Sequence, residues 1–499
     1  MTAKRKLASL LLAAGLVAAG FVQSASAANI IIVNGNAAGV GFNDATPAAP
    51  VGGNPGTTLG QQRLNAFALA ASIWGAQLQS AADIRIFARM TPLSCSATSA
   101  VLGSAGPRFV FRDFPGALEA GHWYHIALAN KLAGTDLVTA AEDPSGLGGA
   151  EISANFNSNL GKPGCLTGSP FYLGLDNNHG NLIDLMTVLL HEFSHGLGFS
   201  TVTSGFSGNQ LAGFPSIYDK FAFDNTLGKT WDQMTPVERR FSALNSRNLV
   251  WNGANVTLSA PLVLVAGTPE LEIKSGPARG TYMVGTASFG PALTNNGVHK
   301  KIGQVVDQPA GTGLACTPLD AVNAKAVKRR IALIDRGACG FVVKVKNAQD
   351  AGARAVIIVD NVPGTPPAGL GGADPTITIP SIRISLADGN TIKAAIAALA
   401  AASRKGPDDG DDDEANDGER GDGVAAWMHL DRDQLAGADK LGRVMLYTPN
   451  PFQGGSSVSH WDTSAFKNLL MEPAINGDLT HNVTPPDDLT KPFFKDIGW

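Results

Sequence analysis

The sequence predicts a mixed α/β (α+β) outer domain that is interrupted by a second, smaller α/β domain. Apolar residues recur at helical spacing over 64–78, and apolar and polar residues then alternate over 84–88, as in a strand. Residues 331–359 read as a buried strand, a helix and a second buried strand. A dense acidic stretch over 406–422 follows the smaller domain and separates it from the rest of the chain.

The length and composition support more than one hydrophobic core. The chain has 499 residues, of which 44% are hydrophobic and only 16% are charged. Its formal net charge of −4 leaves no broad basic surface for phosphate groups. We therefore expect no nucleic-acid partner.

The N-terminus has the three parts of a secretory signal peptide. Basic residues 4–6 precede an apolar run over 7–22, and the small residues 25–27 end it. A membrane anchor is the weaker alternative because the run is short. We expect residues 1–27 to be removed near Ala27, and the mature chain to be secreted to the extracellular space without a membrane anchor.

A metal-binding pattern lies in the next predicted helix. The sequence His-Glu-Phe-Ser-His over 191–195 follows an apolar run over 182–190. Residues four apart are stacked on a helix, so His191 and His195 can share one ion while Glu192 lies beside it. This set of residues is typical of a zinc hydrolase, in which the two histidines bind zinc and the glutamate is the general base.

The third metal ligand is not fixed by this helix. The pattern continues through Gly198 as the compact metzincin motif does, but Thr201 stands where that motif has its third histidine. Threonine is a poor zinc ligand. The sequence leaves three possibilities open: a distant histidine, a carboxylate such as Asp219 or Asp224, or a site without catalysis.

His460 lies in the sequence Ser-Val-Ser-His-Trp-Asp over 457–462, and Met471 follows shortly after it. This combination resembles the leishmanolysin-type metzincins, in which an insertion separates the third histidine from the zinc helix. The resemblance implies that His460 is the third zinc ligand and that Met471 forms the methionine turn below a single catalytic zinc ion. Asp219 is the main competitor for the third position.

Two other histidines, His122 and His125, could in principle share a metal. An exposed face of a helix is the preferred interpretation for both.

Residues 151–157 alternate as a strand, with Ile152, Ala154 and Phe156 on one face. The resemblance implies that this strand is the edge of the sheet to which a peptide substrate adds.

The 265 positions between His195 and His460 are far too many for a loop and require a domain. The strand–helix–strand unit there, with Cys339 and Lys344, resembles the protease-associated (PA) domain that is inserted in many secreted proteases. The resemblance implies a non-catalytic domain that binds substrate or restricts access to the active site.

The expected domain boundaries follow from these segments. They are a signal peptide at 1–27, the first part of the metalloprotease domain at 28–261, and the inserted PA domain at 262–403. A flexible acidic linker follows at 404–423, and the second part of the metalloprotease domain at 424–499. Calcium binding is a more specific hypothesis for the linker, but it has less support. The spacing of the acidic residues does not match an EF-hand loop.

Four cysteines suit an oxidising compartment. Cys95 and Cys165 fall in the outer domain, whereas Cys316 and Cys339 fall in the smaller one. One bridge within each domain is the expected pairing, although two other pairings stay open from the sequence.

These features predict a secreted zinc endopeptidase that acts on proteins or peptides. A non-catalytic binding or adhesion protein with a structural zinc site is one alternative, and a zinc hydrolase of non-peptide amides is another. The sequence makes no prediction about cleavage specificity or oligomeric state.

Overall fold

The computed structural model describes residues 27–403 and 423–499. The expected signal peptide up to residue 26 and the acidic stretch at 404–422, with its calcium hypothesis, lie outside these ranges. No helix within the described ranges combines the length and the apolar character needed to cross a membrane.

The chain forms two units, which we call the outer unit (27–265 and 436–499) and the insert (266–435). The strands of the outer unit are β1 (Ile30–Asn34), β2 (Ile84–Thr91), β3 (Gly103–Pro107), β4 (Val110–Phe111), β5 (Tyr124–His125), β6 (Ile152–Asn157), β7 (Phe171–Tyr172), β8 (Ile183–Asp184), β9 (Ala222–Asp224), β10 (Lys229–Thr230) and β11 (Leu249–Trp251). Its helices are α1 (Leu59–Gln77), α2 (Ile126–Ala133), α3 (Leu185–Leu197), α4 (Pro236–Ser242) and α5 (Ala254–Val263), with one more after the insert.

The main sheet of the outer unit has the strand order β1-β2-β6-β3. Strands β1, β2 and β6 are parallel, and β3 runs antiparallel to β6. Helix α3 lies close against β6, since a Cβ on Gly196 would come within 2.5 Å of the Ile152 side chain. Helix α1 packs beside α3, and the Trp74 indole donates to the Leu190 carbonyl at 3.1 Å.

The expectation that Glu151–Asn157 forms the edge of this sheet is wrong. Strand β6 pairs with β2 on one side and with β3 on the other, so it lies in the interior. Ile152, Ala154 and Phe156 are fully buried between the sheet and the helices. The edge is β3, which runs Gly-Ser-Ala-Gly-Pro and lacks the β-branched residues that usually mark a strand.

The second half of the outer unit draws on residues from both sides of the insert. The rings of Trp251 and Phe493 lie 4.3 Å apart, and those of Phe199 and Trp461 lie 4.9 Å apart. Residues 444–446 pair with their neighbours only through isolated bridges. One continuous hydrophobic core therefore joins the two chain segments of the outer unit.

The insert is a sheet covered by helices on both faces. Its strands are β12 (Ala266–Ile273), β13 (Gly280–Met283), β14 (Gly285–Thr286), β15 (Val298–Gln304), β16 (Ile331–Asp335), β17 (Ala355–Val359), β18 (Ser381–Ile384) and β19 (Ala425–Leu435). Its helices are α6 (Ala321–Val327), α7 (Phe341–Asp350) and α8 (Leu386–Ser403), and α9 (Thr490–Ile497) ends the outer unit. The strand order is β13-β12-β19-β15-β16-β17-β18-β14.

Alternate residues of β16 serve two separate cores. Leu333 packs with α8 on one face of the sheet, whereas Ile334 packs with α6 and α7 on the other. The predicted strand–helix–strand unit is present as β16, α7 and β17, with β16 and β17 parallel. The mixed α/β class predicted for the chain holds for both units.

The second domain boundary differs from the expected one. Strand β19 pairs with β12 and β15 inside the sheet of the insert, so the chain returns to the outer unit after residue 435 and not at 424. The stretch before β19 is strongly acidic, and that change of composition suggested a boundary too early. Val265 and Ala436 meet where the insert begins and ends, joined by a hydrogen bond of 2.9 Å.

The two disulfide bonds are Cys95–Cys165 and Cys316–Cys339, and the described residues contain no free cysteine. This is the expected pairing of one bridge per unit. The first closes a loop of the outer unit and the second closes a loop of the insert.

Candidate metal centre

Helix α3 carries two of the three histidines of the site. It begins after Asp184, whose carboxylate accepts the backbone N–H of Thr187 at 3.0 Å as an N-cap. It ends at Gly198, where a φ of +139° turns the chain away from the helix. His191 and His195 lie one turn apart on the face of α3 that lines a large cleft.

The third histidine comes from the second segment of the outer unit. The Nε2 atom of His460 lies 3.2 Å from that of His195 and 3.3 Å from that of His191. The Nε2 atoms of His191 and His195 are themselves 3.2 Å apart. Three imidazole nitrogens thus converge on one point, and all three side chains are buried.

Backbone carbonyl groups fix the tautomer of each ring. The Nδ1 atoms of His191, His195 and His460 lie 2.7–2.8 Å from the carbonyl oxygens of Leu470, Phe199 and Ser456, respectively. A carbonyl only accepts, so each Nδ1 must carry the hydrogen. Each Nε2 atom then carries a lone pair that faces the lone pairs of the two other Nε2 atoms. A cation at the centre would stabilise this arrangement.

Burial keeps these rings neutral. It lowers the pKa of His191 to about 4, and burial together with the neighbouring His191 ring lowers the pKa of His195 to about 3. Burial and the two other rings lower the pKa of His460 well below its ordinary value. Neutral imidazole is the form that binds a metal ion.

Glu192 lies beside the cluster and below the edge strand. Its side chain is buried, and burial raises its pKa to about 8 while the backbone N–H of Ala105 partly offsets this. Gly103 makes the approach possible, because a Cβ there would come within 2.9 Å of the Glu192 side chain. The carboxylate and the three nitrogens line the same cleft.

Met471 is fully buried next to the cluster, and its backbone contacts the region of His460. The Met471 carbonyl accepts a hydrogen bond from the backbone N–H of Trp461 at 2.8 Å. The carbonyl of Leu470 accepts a hydrogen bond from the ring Nδ1–H of His191. The segment around Met471 therefore orients ligand-bearing residues from both halves of the outer unit. Asp488 supports this segment by accepting the N–H of Leu470 at 2.9 Å.

The carboxylates that competed for the third position lie elsewhere. Asp219 accepts hydrogen bonds from Thr201, Thr203 and the backbone of Ser216. Thr201, which stands where the compact motif has its third histidine, thus donates a hydrogen bond to Asp219, the residue considered as an alternative zinc ligand. Asp224 accepts the backbone N–H groups of a turn and does not join the histidine cluster.

The expectation of an exposed helix face is wrong for His125 and also for His122, which lies outside the helices. His125 ends β5 and precedes α2, it is 4% exposed, and burial lowers its pKa to about 4. His122 is half-buried and lies 3.7 Å from the carboxylate of Asp232. Neither histidine belongs to the cluster.

The sequence reasoning missed three contributors to the cleft. The N-cap Asp184 immediately before an apolar helical run is a start signal that could have been recognised. Glu472 lines the cleft as a buried carboxyl whose pKa burial raises to about 8. Gly103 on the edge strand carries no sequence signal, because it depends on the approach of two distant segments.

Comparison with known proteins identifies the insert. A family profile described as the PA domain matches residues 301–392. The chain therefore contains a PA domain, and the resemblance noted around Cys339 is confirmed.

Two characterised relatives match only part of the chain. A receptor homology region, transmembrane domain- and RING domain-containing protein of Oryza sativa is 36% identical over 107 residues, which are 21% of this chain and 19% of that protein. An ER degradation-enhancing alpha-mannosidase-like protein of Xenopus laevis is 33% identical over 136 residues, or 25% of this chain and 14% of that protein. The chain thus spans less than a fifth of either relative.

Among solved structures, a zinc aminopeptidase from Bacillus subtilis shares 18% identity over 43% of this chain and 42% of that one, with a TM-score of 0.22. An aminopeptidase from Aneurinibacillus sp. strain AM-1 shares 17% identity over the same fractions, also with a TM-score of 0.22. Likeness at this level carries no argument about fold or activity.

Proposed function

We propose that this protein is a secreted, zinc-dependent endopeptidase with a metzincin-like outer unit of the leishmanolysin type. The observation that carries the proposal is the convergence of His191, His195 and His460 on one point beside Glu192. The buried Met471 next to this cluster adds support from the second chain segment.

The three histidines fit a zinc ion. At the usual Zn–N distance of 2.0–2.1 Å, two ligands of a tetrahedral site lie about 3.3–3.4 Å apart. The three observed Nε2 separations are 3.2–3.3 Å. No fourth histidine, cysteine or carboxylate of the described residues joins the group, which leaves one coordination position open, as in catalytic zinc sites.

A zinc ion held there would supply an activated water and polarise the carbonyl group of the peptide bond. Glu192 then acts as general base and takes a proton from the attacking water. It passes that proton to the nitrogen of the leaving amine. Burial raises the pKa of Glu192, and a zinc ion beside it would favour the carboxylate form that the first transfer requires.

We further propose that the peptide substrate pairs with β3 in place of the strand first expected. Hydrogen bonds from Asn157 to Leu102 and from Arg108 to Glu151 set the register of the β3–β6 ladder. The alternation of an antiparallel ladder then turns the backbone groups of Gly103 and Ala105 away from β6 and toward the cleft. A substrate strand added there would lie across Glu192.

A closed structural zinc site would favour the rival function of a non-catalytic binding protein. The three-ligand set and the carboxylate next to it argue for catalysis instead. A hydrolase of non-peptide amides would use the same groups. Screening denatured proteins against small amides separates these two activities.

The test combines zinc content with cleavage of a denatured protein, measured with and without a chelator. We expect Glu192→Ala to keep zinc and to lose activity by about 10²–10⁴-fold, because it removes the proton transfer alone. His460→Ala should lose both zinc and activity. His179→Ala is the matched control, since His179 lines the cleft but its ring bonds to the Leu182 carbonyl and lies outside the cluster.

Full activity of Glu192→Ala would refute the mechanism. Normal zinc content in His460→Ala would remove that residue from the ligand set. Zinc binding without cleavage of any protein or amide would favour the non-catalytic alternative.

A further inference from the structure

A second large cavity, of about 820 Å³, lies between the insert and the outer unit. One wall comes from the insert and includes β18 and residues 364–369. The opposite wall comes from residues 447–468 of the outer unit, the segment that also carries His460. Ligand sites of this size commonly form between domains.

The two units are joined at the rim of this cavity. Thr365 of the insert and Asn450 of the outer unit exchange two backbone hydrogen bonds, of 2.7 and 2.8 Å. The hydroxyl of Thr365 also lies 2.9 Å from that of Ser246. These bonds fix the two walls relative to each other, so the cavity is a built feature of the fold.

Two hydrogen-bond donors of the lining residues have no partner among the described residues. They are the hydroxyl of Ser381 and the Nε atom of Arg383. The Nε atom of Arg247, also in the lining, lies 3.7 Å from the carboxylate of Asp462. Ser381 and Arg383 are 4% and 6% exposed. A buried donor without an acceptor is costly, and a ligand that accepts these hydrogen bonds would remove the cost.

The geometry of β18 directs two of these groups to the same side. Ile382 and Ile384 pack into the core under α8, so Ser381 and Arg383 project from the other face of the strand. Among the described residues, Asp360 is the only acidic residue that lines the cavity. Both of its oxygens are already occupied, one by Arg383 and the other by Arg336 at 2.8 Å.

The remaining lining favours a peptide over a simple lipid carboxylate. Apolar side chains are interspersed with the side-chain amide of Asn450 and the Nε2 group of Gln453, which could pair with a peptide backbone. Other polar side chains of the lining already have partners within the protein: Thr365, Tyr447, Ser464 and Asn468. A hydrocarbon chain could not form hydrogen bonds with these two amide groups.

We propose that this cavity binds the C-terminal end of a peptide, with Ser381 and Arg383 beside its terminal carboxylate. The guanidinium group of Arg383 supplies a charge-assisted donor, and the hydroxyl of Ser381 supplies a second donor. This site is separate from the histidine cluster, and the proposal does not depend on the zinc chemistry.

The test is calorimetric titration of the full chain carrying Glu192→Gln, which protects the probe from cleavage. The probe is N-acetyl-Ala-Ala-Phe with a free C-terminal carboxylate, compared with the same peptide as its carboxamide. We expect the carboxylate to bind at least about tenfold more tightly than the carboxamide.

Ser381→Ala and Arg383→Gln should each weaken binding of the carboxylate about fivefold or more. Arg336→Gln should change it less than about twofold, because Arg336 bonds to the same Asp360 but does not line the cavity. Ser381→Ala leaves the Arg383–Asp360 pair intact, so its result stands even if Arg383→Gln disturbs folding.

Equal affinity for the two peptides, or unchanged binding by Ser381→Ala, would overturn the proposal. So would the absence of binding at millimolar peptide. Dodecanoate is the lipid probe, and tighter binding of dodecanoate than of the peptide would assign the site to a lipid carboxylate instead.

Discussion

Gly103 is the residue at which the edge strand comes closest to the proposed general base. A Cβ at this position would lie 2.9 Å from Cγ and 3.0 Å from Oε1 of Glu192, and 3.0 Å from the ring of Phe156. Phe156 is fully buried and cannot yield, so the carboxylate must move. We expect Gly103→Ala to lower kcat/KM by roughly 10–100-fold, since small displacements of a catalytic group have effects of this size.

The matched control for this substitution is Gly106→Ala on the same strand, where a Cβ would meet no atom within 4 Å. Zinc content should be unchanged in both variants, because neither glycine contacts the histidines. Equal kinetics of the two variants would show that the edge strand does not hold Glu192 in place.

The buried carboxyl group of Glu151 should make the stability of the fold depend on pH. It is fully buried, accepts the backbone N–H of Arg85 at 2.6 Å and a side-chain N–H of Asn130, and faces the carboxylate of Asp136. Burial raises its pKa to about 7, from 4.5 in an unfolded chain. Between these pH values the unfolded chain releases this proton and the folded chain keeps it.

Folding therefore becomes less favourable as the pH rises from 4.5 to 7, by about 3 kcal/mol from Glu151 alone. The contribution is complete above pH 7 and absent below 4.5. We expect the free energy of unfolding of Glu151→Gln, relative to that of the original chain, to rise by this amount across the interval. Urea unfolding at pH 4.5 and 7.5 measures it, and parallel pH profiles would contradict the assignment.

At this scale, the sequence predicts local relations and misses distant ones. The stacking of His191 and His195 follows from helix geometry, and the structure brings His460 to them as the resemblance implied. The contact between Gly103 and Glu192, and the buried carboxyl of Glu472 in the cleft, depend on segments that are remote in sequence. No local pattern encodes such contacts.

At the scale of elements, the exchange of roles between β3 and β6 can be tested with proline. Ala154 lies in β6 opposite both Ala88 of β2 and Ala105 of β3. Proline there lacks the N–H that an interior strand needs, so we expect Ala154→Pro to destabilise the outer unit by about 3 kcal/mol or more. Thermal unfolding measures this loss.

Proline at the edge should act on catalysis instead of folding. The N–H of Ala105 faces the cleft, and edge strands tolerate proline when that side is free of the ladder. We expect Ala105→Pro to remain folded and to raise the KM for peptides, and also to lower kcat because it removes the N–H that bonds to Glu192. If Ala154→Pro were stable and Ala105→Pro unfolded, the assignment of the edge would be reversed.

The misassigned edge has a physical cause. Strand β6 alternates clearly because its two faces differ, whereas β3 is made of small residues that permit a close approach to α3. Strand propensity reflects how side chains pack against their neighbours. An edge strand whose small residues allow close approach to α3 therefore has the composition of a loop. The buried strands β16 and β17, by contrast, are continuous apolar runs that can be recognised directly.

At the scale of the whole molecule, the insert is attached through two adjacent strands. Strands β12 and β19 pair antiparallel along most of their length, and they enter and leave the sheet at the same end. Val265 and Ala436 stand next to each other there, joined by a hydrogen bond of 2.9 Å. The outer unit has its own hydrophobic core that includes residues from both sides of this junction.

This geometry predicts that the insert can be removed cleanly. Deleting residues 266–435 and joining Val265 to Ala436 through two glycines spans a gap that is already closed by a hydrogen bond. We expect the shortened chain to fold, to bind zinc and to cleave short peptides with kcat/KM within about tenfold of the original, because loop closure over so short a distance costs little. The control is deletion of residues 262–423, the boundaries that the sequence suggested.

That control deletion should fail for two reasons. It removes Val263 and Leu264, which are 3% and 4% exposed in the core of the outer unit. It also leaves β19 without β12 and β15, and an isolated apolar strand with two open edges favours aggregation. Soluble expression, zinc content and peptide cleavage distinguish the two deletions. If both were equally soluble and active, β19 would not belong to the insert; if the 266–435 deletion lost zinc, the insert would be part of the support for the histidine cluster.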